Sequence, residues 1–219
     1  MKTMGLQQLY LVNPSGYPGA DVTVRASGAD DILARARVFD NLPTAVRDCA
    51  YIVGASARPR NIPWPVLEPE PAARVLLSQA RAGMPVAVIF GPERTGLGNN
   101  ELDLCHAVVT IPTNPDFPSL NLAAAVQVIC YELRKAIRAS TEMTPALAEG
   151  GPQVNAEQMQ QFYQQLERML TDIGYFRPGK PRLLMRRLRR MFNRMQPDQS
   201  EYNILRGILA AVIPPETED

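Results

Sequence analysis

The stretch VAVIFGPERTGLGNNEL, residues 86–102, decides the fold. Val86 to Phe90 is an apolar run of strand length, rich in β-branched and aromatic residues. It enters a glycine-rich loop carrying one carboxylate, Glu93, and a helix is predicted around Asn100. Such strand–loop–helix units build parallel α/β sheets, whose ligands bind in loops at the carboxyl ends of strands. Gly91 and Gly96 have the G-x4-G spacing of a phosphate-cradling loop, but Leu97 and Gly98 stand where that loop needs Lys and Ser/Thr, which argues against an NTPase. No G-x-G-x-x-G follows a strand, so a dinucleotide site has no support. Two uses of the glycines stay open: a tight turn alone, or a loop that admits a ligand against the backbone.

Downstream lies IPTNPDFPSLNLAAAVQVICYEL, residues 111–133. A strand ends at Ile111, a proline-rich loop follows, and Ser119 is placed to N-cap a long helix over Leu120 to Ala139. Upstream, Leu9 to Val12, Arg37 to Phe39 and Tyr51 to Val53 read as strands, and Ala107 to Ile111 makes a further one. Helices are predicted over Asp30 to Ala36, Thr44 to Cys49 and Ala72 to Ala82. The alternation gives an α/β fold with a mostly parallel sheet over residues 1–140. Ser, Thr, Pro and Gly dominate a linker at about residues 141–154, and a small helical unit occupies 155–219. In that unit Asn155 and Gln158 have capping-box spacing, Gly174 stops the first helix, and Leu184, Leu188, Met191 and Met195 stripe the second.

The 219 residues carry a formal net charge of +1, one His and three Cys. No apolar stretch is long enough to cross a bilayer and no signal peptide opens the chain, so a cytoplasmic address is expected. Cys49, Cys105 and Cys130 are widely spaced, which fits buried thiols better than a disulfide framework or a zinc site. The single His106 excludes two-His metal motifs within one protomer and reads as a strand-edge residue; no metal is expected. Trp64, in NIPWP, reads as a packed anchor.

FGPERTGLG followed by IPTNPDFPSLNLAAAV resembles the second and third motifs of the SpoU, or TrmH-like, branch of the SPOUT RNA 2′-O-ribose methyltransferases. The stretches MKTMGL, LYLVNP, IVGASARPRNIPWP and QSEYNILRGILA narrow it to members that methylate the ribose at position 32 of the tRNA anticodon loop, on cytidine or uridine. The resemblance implies a C-terminal trefoil knot, a homodimer, tRNA as substrate and S-adenosylmethionine as methyl donor. It places donor contacts on Ala55, Ser56, Ala57, Gly91, Ile111, Pro118, Ser119 and Leu120, and the catalytic set on Glu93, Ser119 and Asn121. A related rRNA methyltransferase and a noncatalytic RNA-binding protein remain as alternatives.

The family's first motif, with an arginine that helps remove the hydroxyl proton, has no counterpart in this sequence. MKTMGL reads as the last turn of a helix, with Gly5 suited to the left-handed position after it. Together these predict a deficit of about 20–25 residues before Met1, a strand and a helix. On that expectation the 219-residue chain binds donor weakly, folds marginally and methylates tRNA more slowly than a version extended upstream.

For RNA, residues 176–194 hold eight basic side chains and no acid. Arg186, Arg187, Arg189 and Arg190 are phosphate-contact candidates, as are Arg58 and Arg60 beside the donor site. A solvated helix face is the other reading of the cluster.

Overall fold

The computed structural model describes residues 1–57, 64–141, 153–176 and 183–212. A short 3-10 turn, Lys2–Met4, ends at Gly5, whose φ of 78° is the left-handed conformation expected there. The strands are β1 (Tyr10–Val12), β2 (Arg37–Phe39), β3 (Tyr51–Ala55), β4 (Val66–Leu67), β5 (Val86–Ile89) and β6 (Ala107–Val109). The first six helices are α1 (Ala20–Ala26), α2 (Asp30–Ala34), α3 (Leu42–Val46), α4 (Pro69–Arg81), α5 (Asn99–Leu102) and α6 (Leu122–Thr141). The remaining three are α7 (Ala156–Asp172), α8 (Leu183–Met195) and α9 (Gln199–Val212).

All pairs of these strands are parallel, as the α/β pattern requires, but they form two sheets. Among the described residues β1 pairs only with β2, and a four-stranded sheet has the order β4-β6-β3-β5. An apolar run identifies a strand and carries no information about its neighbours, which is why one sheet was the expectation. Central β3 is buried on both faces, with Ile52 and Val53 wholly inaccessible. Tyr51 and Val53 pack with Ala72 and Leu76 of α4 and Ile129 of α6. Ile52 faces the other way, among Val46 of α3, Leu102 of α5, and Trp64 and Cys105. The three cysteines are free and buried, and Trp64 is packed in this core.

Two elements escaped the sequence reading. β4 has two residues, too few to show a period, and α1 (ADVTVRA) is rich in β-branched residues of modest helix propensity. Boundaries also moved. α3 starts at Leu42 because the Asn41 Oδ1 accepts the Thr44 N–H at 3.0 Å, and α4 starts at Pro69 with proline in its first turn.

His106 sits at the entry to β6, as expected for a strand-edge residue. Its Nδ1 accepts the Ile52 N–H at 3.1 Å, and its ring stacks on Tyr51. Burial pushes its pKa from 6.5 down to about 4. The folded state therefore binds fewer protons than the unfolded one between these values. Stability is full above pH 6.5 and falls as pH drops toward 4. His106→Asn is expected to flatten the decline of melting temperature with acid; an unchanged pH slope would rule this out.

The helical unit has its own core, built on Phe162, Tyr163, Leu166, Met185, Tyr202 and Leu209. Its first helix carries the expected capping box, and Gly174 at φ 73° follows its end. The expected stripe on α8 holds at Leu184 and Leu188, which pack against this core, and is corrected at Met191 and Met195, which are exposed, while Met185 and Asn193 are buried. Helical period alone cannot choose between two faces that each carry apolar residues, and docking onto the α/β unit selects this one. The Ala156 and Glu157 N–H groups donate to the Cys49 and Arg47 carbonyls, seating the α7 N-terminus beyond α3. The expected linker falls mostly on residues 142–152, outside the described residues.

Candidate active site

A cleft of about 150 Å³ opens where β3, β5 and β6 end. Parallel strands release their chains on the same edge, so three loops that are remote in sequence meet there. Ala55, Ser56 and Ala57 come from the first, Gly91, Pro92, Glu93 and Gly96 from the second, and Ile111, Thr113, Pro118, Ser119 and Leu120 from the third. All eight residues expected to touch the donor line this one cleft. Phe90, Val109, Leu122 and Ala125 supply apolar wall that sequence reasoning did not single out, although each adjoins a strand end or helix start it had marked.

Local bonds fix the three loops. The Thr110 hydroxyl donates to the Ser56 carbonyl at 2.8 Å, tying the first loop to the third. The Gly96 N–H donates to the Pro92 carbonyl at 2.8 Å, and Gly96 adopts φ 65°. This folds the second loop so tightly that a Cβ on Gly91 would overlap the Gly96 carbonyl carbon and the Leu97 nitrogen. The Thr113 hydroxyl donates to the Pro118 carbonyl at 3.2 Å, bracing the third loop.

Glu93 and Asn121 meet at the cleft, although 28 residues separate them: the Asn121 Nδ2 donates to the Glu93 Oε1 at 3.3 Å. Ser119 does not cap the long helix as expected. Asn121 does, its Oδ1 accepting the Ala123 N–H at 2.9 Å and the Ala124 N–H at 3.4 Å. The helix begins at Leu122, so Asn121 holds the N-cap position and Ser119, two residues upstream, lines the cleft instead. With its oxygen engaged by the helix, the Asn121 amide has its NH₂ aimed at Glu93. Cap and site contact are one side chain's two ends.

The basic residues divide. Arg58 and Arg60 lie outside the described residues. Arg186 pairs with Asp103, its Nε 3.0 Å from both carboxylate oxygens, and lies over the Trp64 ring. Arg189 donates to the Gln160 Oε1 at 2.8 Å and covers the Tyr163 ring at 4.5 Å. The Arg190 Nε is buried. Arg187 and Arg194 are exposed. A run of arginines in sequence reports charge; the helix turn then sends some of it inward. Among the described residues no group of His, Cys, Asp and Glu is arranged to hold a metal ion, and no helix is long and apolar enough to cross a membrane.

Residues 1–131 match the model of the SpoU rRNA Methylase family, and residues 157–218 that of the tRNA methyltransferase TrmJ, C-terminal domain. The tRNA (cytidine/uridine-2′-O-)-methyltransferase TrmJ of Sodalis glossinidius is 46% identical over 212 residues, 97% of this chain and 83% of that protein. The tRNA (cytidine/uridine/adenosine-2′-O-)-methyltransferase TrmJ of Pseudomonas aeruginosa is 48% identical, over 95% of this chain and 84% of its own. The crystal structure of TrmJ from Z. mobilis superposes with a TM-score of 0.82 at 35% identity, covering 97% of this chain and 89% of that one.

Proposed function

The chain belongs to the SpoU rRNA Methylase family, and from that premise we propose that it transfers a methyl group to the 2′-oxygen of a cytidine or uridine ribose in tRNA, at position 32 of the anticodon loop. The observation that carries this reading is the Glu93–Asn121 contact, which joins the two motif loops at one cleft. The donor we assign is S-adenosylmethionine, which when bound supplies a methyl group on a positively charged sulfur. The cleft suits such a ligand: it combines apolar wall from Phe90, Ile111 and Leu120 with polar loop backbone, and Gly91 lets the second loop fold tightly on itself along one side.

Ala55, Ser56, Ala57 and Gly91 would line one side of the donor, and Ile111, Pro118, Ser119 and Leu120 the other. Glu93, Ser119 and Asn121 stand at the exposed mouth, where a ribose arrives from solvent. The Glu93 carboxylate accepts hydrogen bonds from ribose hydroxyls and is held in place by the Asn121 amide. With the donor bound, the ribose oxygen would take the methyl carbon, the sulfur would keep the electron pair of the broken bond and leave as a neutral thioether, and the hydroxyl proton would pass to solvent at the open mouth. Alignment of the two reactants supplies most of the acceleration. The trefoil knot of the family is the topology we assign to the segment carrying Gly91 through Asn121, with residues 1–140 as the methyltransferase domain, 141–154 as linker and 155–219 as a helical extension. We also assign a cytoplasmic homodimer, whose mass light scattering would test.

Incubation with tRNA and methyl-labelled S-adenosylmethionine is expected to leave label in an alkali-resistant dinucleotide from the anticodon loop. Label on a base, or preferential labelling of rRNA, would overturn the proposal. Arg187 and Arg194, exposed on α8, are the phosphate contacts we favour. The double substitution Arg187→Ala, Arg194→Ala is expected to weaken tRNA binding and lower its salt slope by about 1 per lost contact. An unchanged slope would make them an ordinary solvated face.

A further inference from the structure

Among the described residues a Gln79–Gln196 side-chain bond joins the helical unit to the α/β unit, and two larger grips stand beside it. One is the seat of α7 on the Arg47 and Cys49 carbonyls. The other is Asp103, the residue directly after α5, which α8 holds by both side chain and backbone. Arg186 pairs with its carboxylate, with 22% and 13% of the two side chains exposed. Asn193, 5% exposed, donates through Nδ2 to the Asp103 and Cys105 carbonyls at 3.4 and 3.3 Å, and its Oδ1 accepts the Tyr163 hydroxyl at 2.6 Å. A buried amide with its NH₂ bonded across the seam and its oxygen held by Tyr163 of α7 fixes one docking geometry and rejects others.

The helical unit has a core and a second attachment of its own, so folding the unit does not require the grip on Asp103. What lies on the other side of Asp103 gives the contact a different use. Its N–H donates to the Asn99 carbonyl and the Leu102 N–H to the Gly98 carbonyl, making α5 one closed turn. Leu97 and Leu102 pack onto Gly54 of β3, where a Cβ would come within 3.0 Å of both. Leu97 and Gly96 in turn form the backbone wall against which Gly91 folds. A short chain of packed groups thus runs from α8 to the loop that carries Glu93.

We propose that Asp103 and Asn193 are positioning residues: through α5, the docked helical unit holds the Gly91–Gly96 loop in the shape that receives the donor. This rests on the functional reading above. It makes donor binding and docking reciprocal, so that tRNA held on the outer face of α8 favours the donor-ready loop.

The test uses the full chain. Asp103→Arg and Arg186→Asp are each expected to weaken S-adenosylmethionine binding in calorimetry by roughly fivefold or more. Each is also expected to speed amide exchange over residues 96–104, leaving the α7 core amides protected. Combining the two reverses the pair and is expected to restore both readings. Arg186→Gln is the milder variant should a reversal fail to fold. Wild-type affinity and wild-type exchange in the single variants would overturn the proposal, and so would a double variant no better than either single one. If the wild type itself fails to bind S-adenosylmethionine, the functional reading fails, while exchange over residues 96–104 still decides whether α8 braces the loop.

Discussion

Gly91→Ala is expected to weaken S-adenosylmethionine binding by up to about 150-fold while leaving a folded protein. The added methyl would overlap the Gly96 carbonyl carbon and the Leu97 nitrogen, which are backbone atoms and cannot turn away as a side chain could. Relief requires the loop to open, and the left-handed turn at Gly96 and its bond to Pro92 would go with it. Forcing a carbon into packed space costs about 1–3 kcal/mol, which is about 5- to 150-fold in affinity if the loop bears the whole distortion. Gly98→Ala is the control: there a Cβ meets only the Glu101 Oε2, at 3.4 Å, and the backbone at φ −78° accepts any residue. Calorimetry on both variants separates the outcomes. Normal binding by Gly91→Ala would mean that the donor does not use this loop.

The second large effect concerns Asn121→Asp, one of the smallest changes available in heavy atoms. The carboxylate still accepts the Ala123 and Ala124 N–H groups, and a negative charge suits a helix N-terminus, so thermal stability is expected to hold. The other end of the side chain changes sign. An oxygen replaces the NH₂ that stood 3.3 Å from the Glu93 Oε1, and two carboxylates that close must separate or share a proton. Turnover is expected to fall by about 100-fold at neutral pH and to recover in part as acid supplies the shared proton. Asn121→Ala should lose activity and also about 1 kcal/mol of stability with the cap. An Asn121→Asp enzyme with normal turnover would show that Glu93 needs no partner there.

Much of the site was legible because chemistry and strand ends coincide in sequence. Gly91, Glu93, Ser119 and Asn121 stand in loops that follow apolar runs, and parallel pairing was enough to bring such loops to one edge. What escaped reading depends on direction rather than composition. Ser119 and Asn121 are both good capping residues two positions apart, and only the start of α6 at Leu122 chooses between them. Arg186 and Arg187 are chemically identical neighbours, yet the helix turns one toward Asp103 and the other toward solvent. Asn193, between Phe192 and Arg194, carries no sequence signal at all; its role exists only once α8 lies across the Asp103 turn. The separation of the β1–β2 ladder from the larger sheet escaped for the same reason, since register and neighbours are tertiary facts.

The thiols described earlier give the α/β core a chemical clock. The carbonyl of Cys49 receives α7 and the carbonyl of Cys105 receives Asn193, whereas Cys130 lies on α6, away from both grips. Burial holds the Cys49 thiol up at about 11 and raises that of Cys105 further, so neither offers a thiolate to an alkylating reagent in the folded protein. The Cys105 sulfur lies against Gly54 beside Leu97 and Leu102, inside the core of the α/β unit, so a parting of the seam alone leaves it covered. Alkylation of Cys105 under native conditions is therefore expected to report, with no probe added, the unfolding of the α/β core rather than the parting of the two halves.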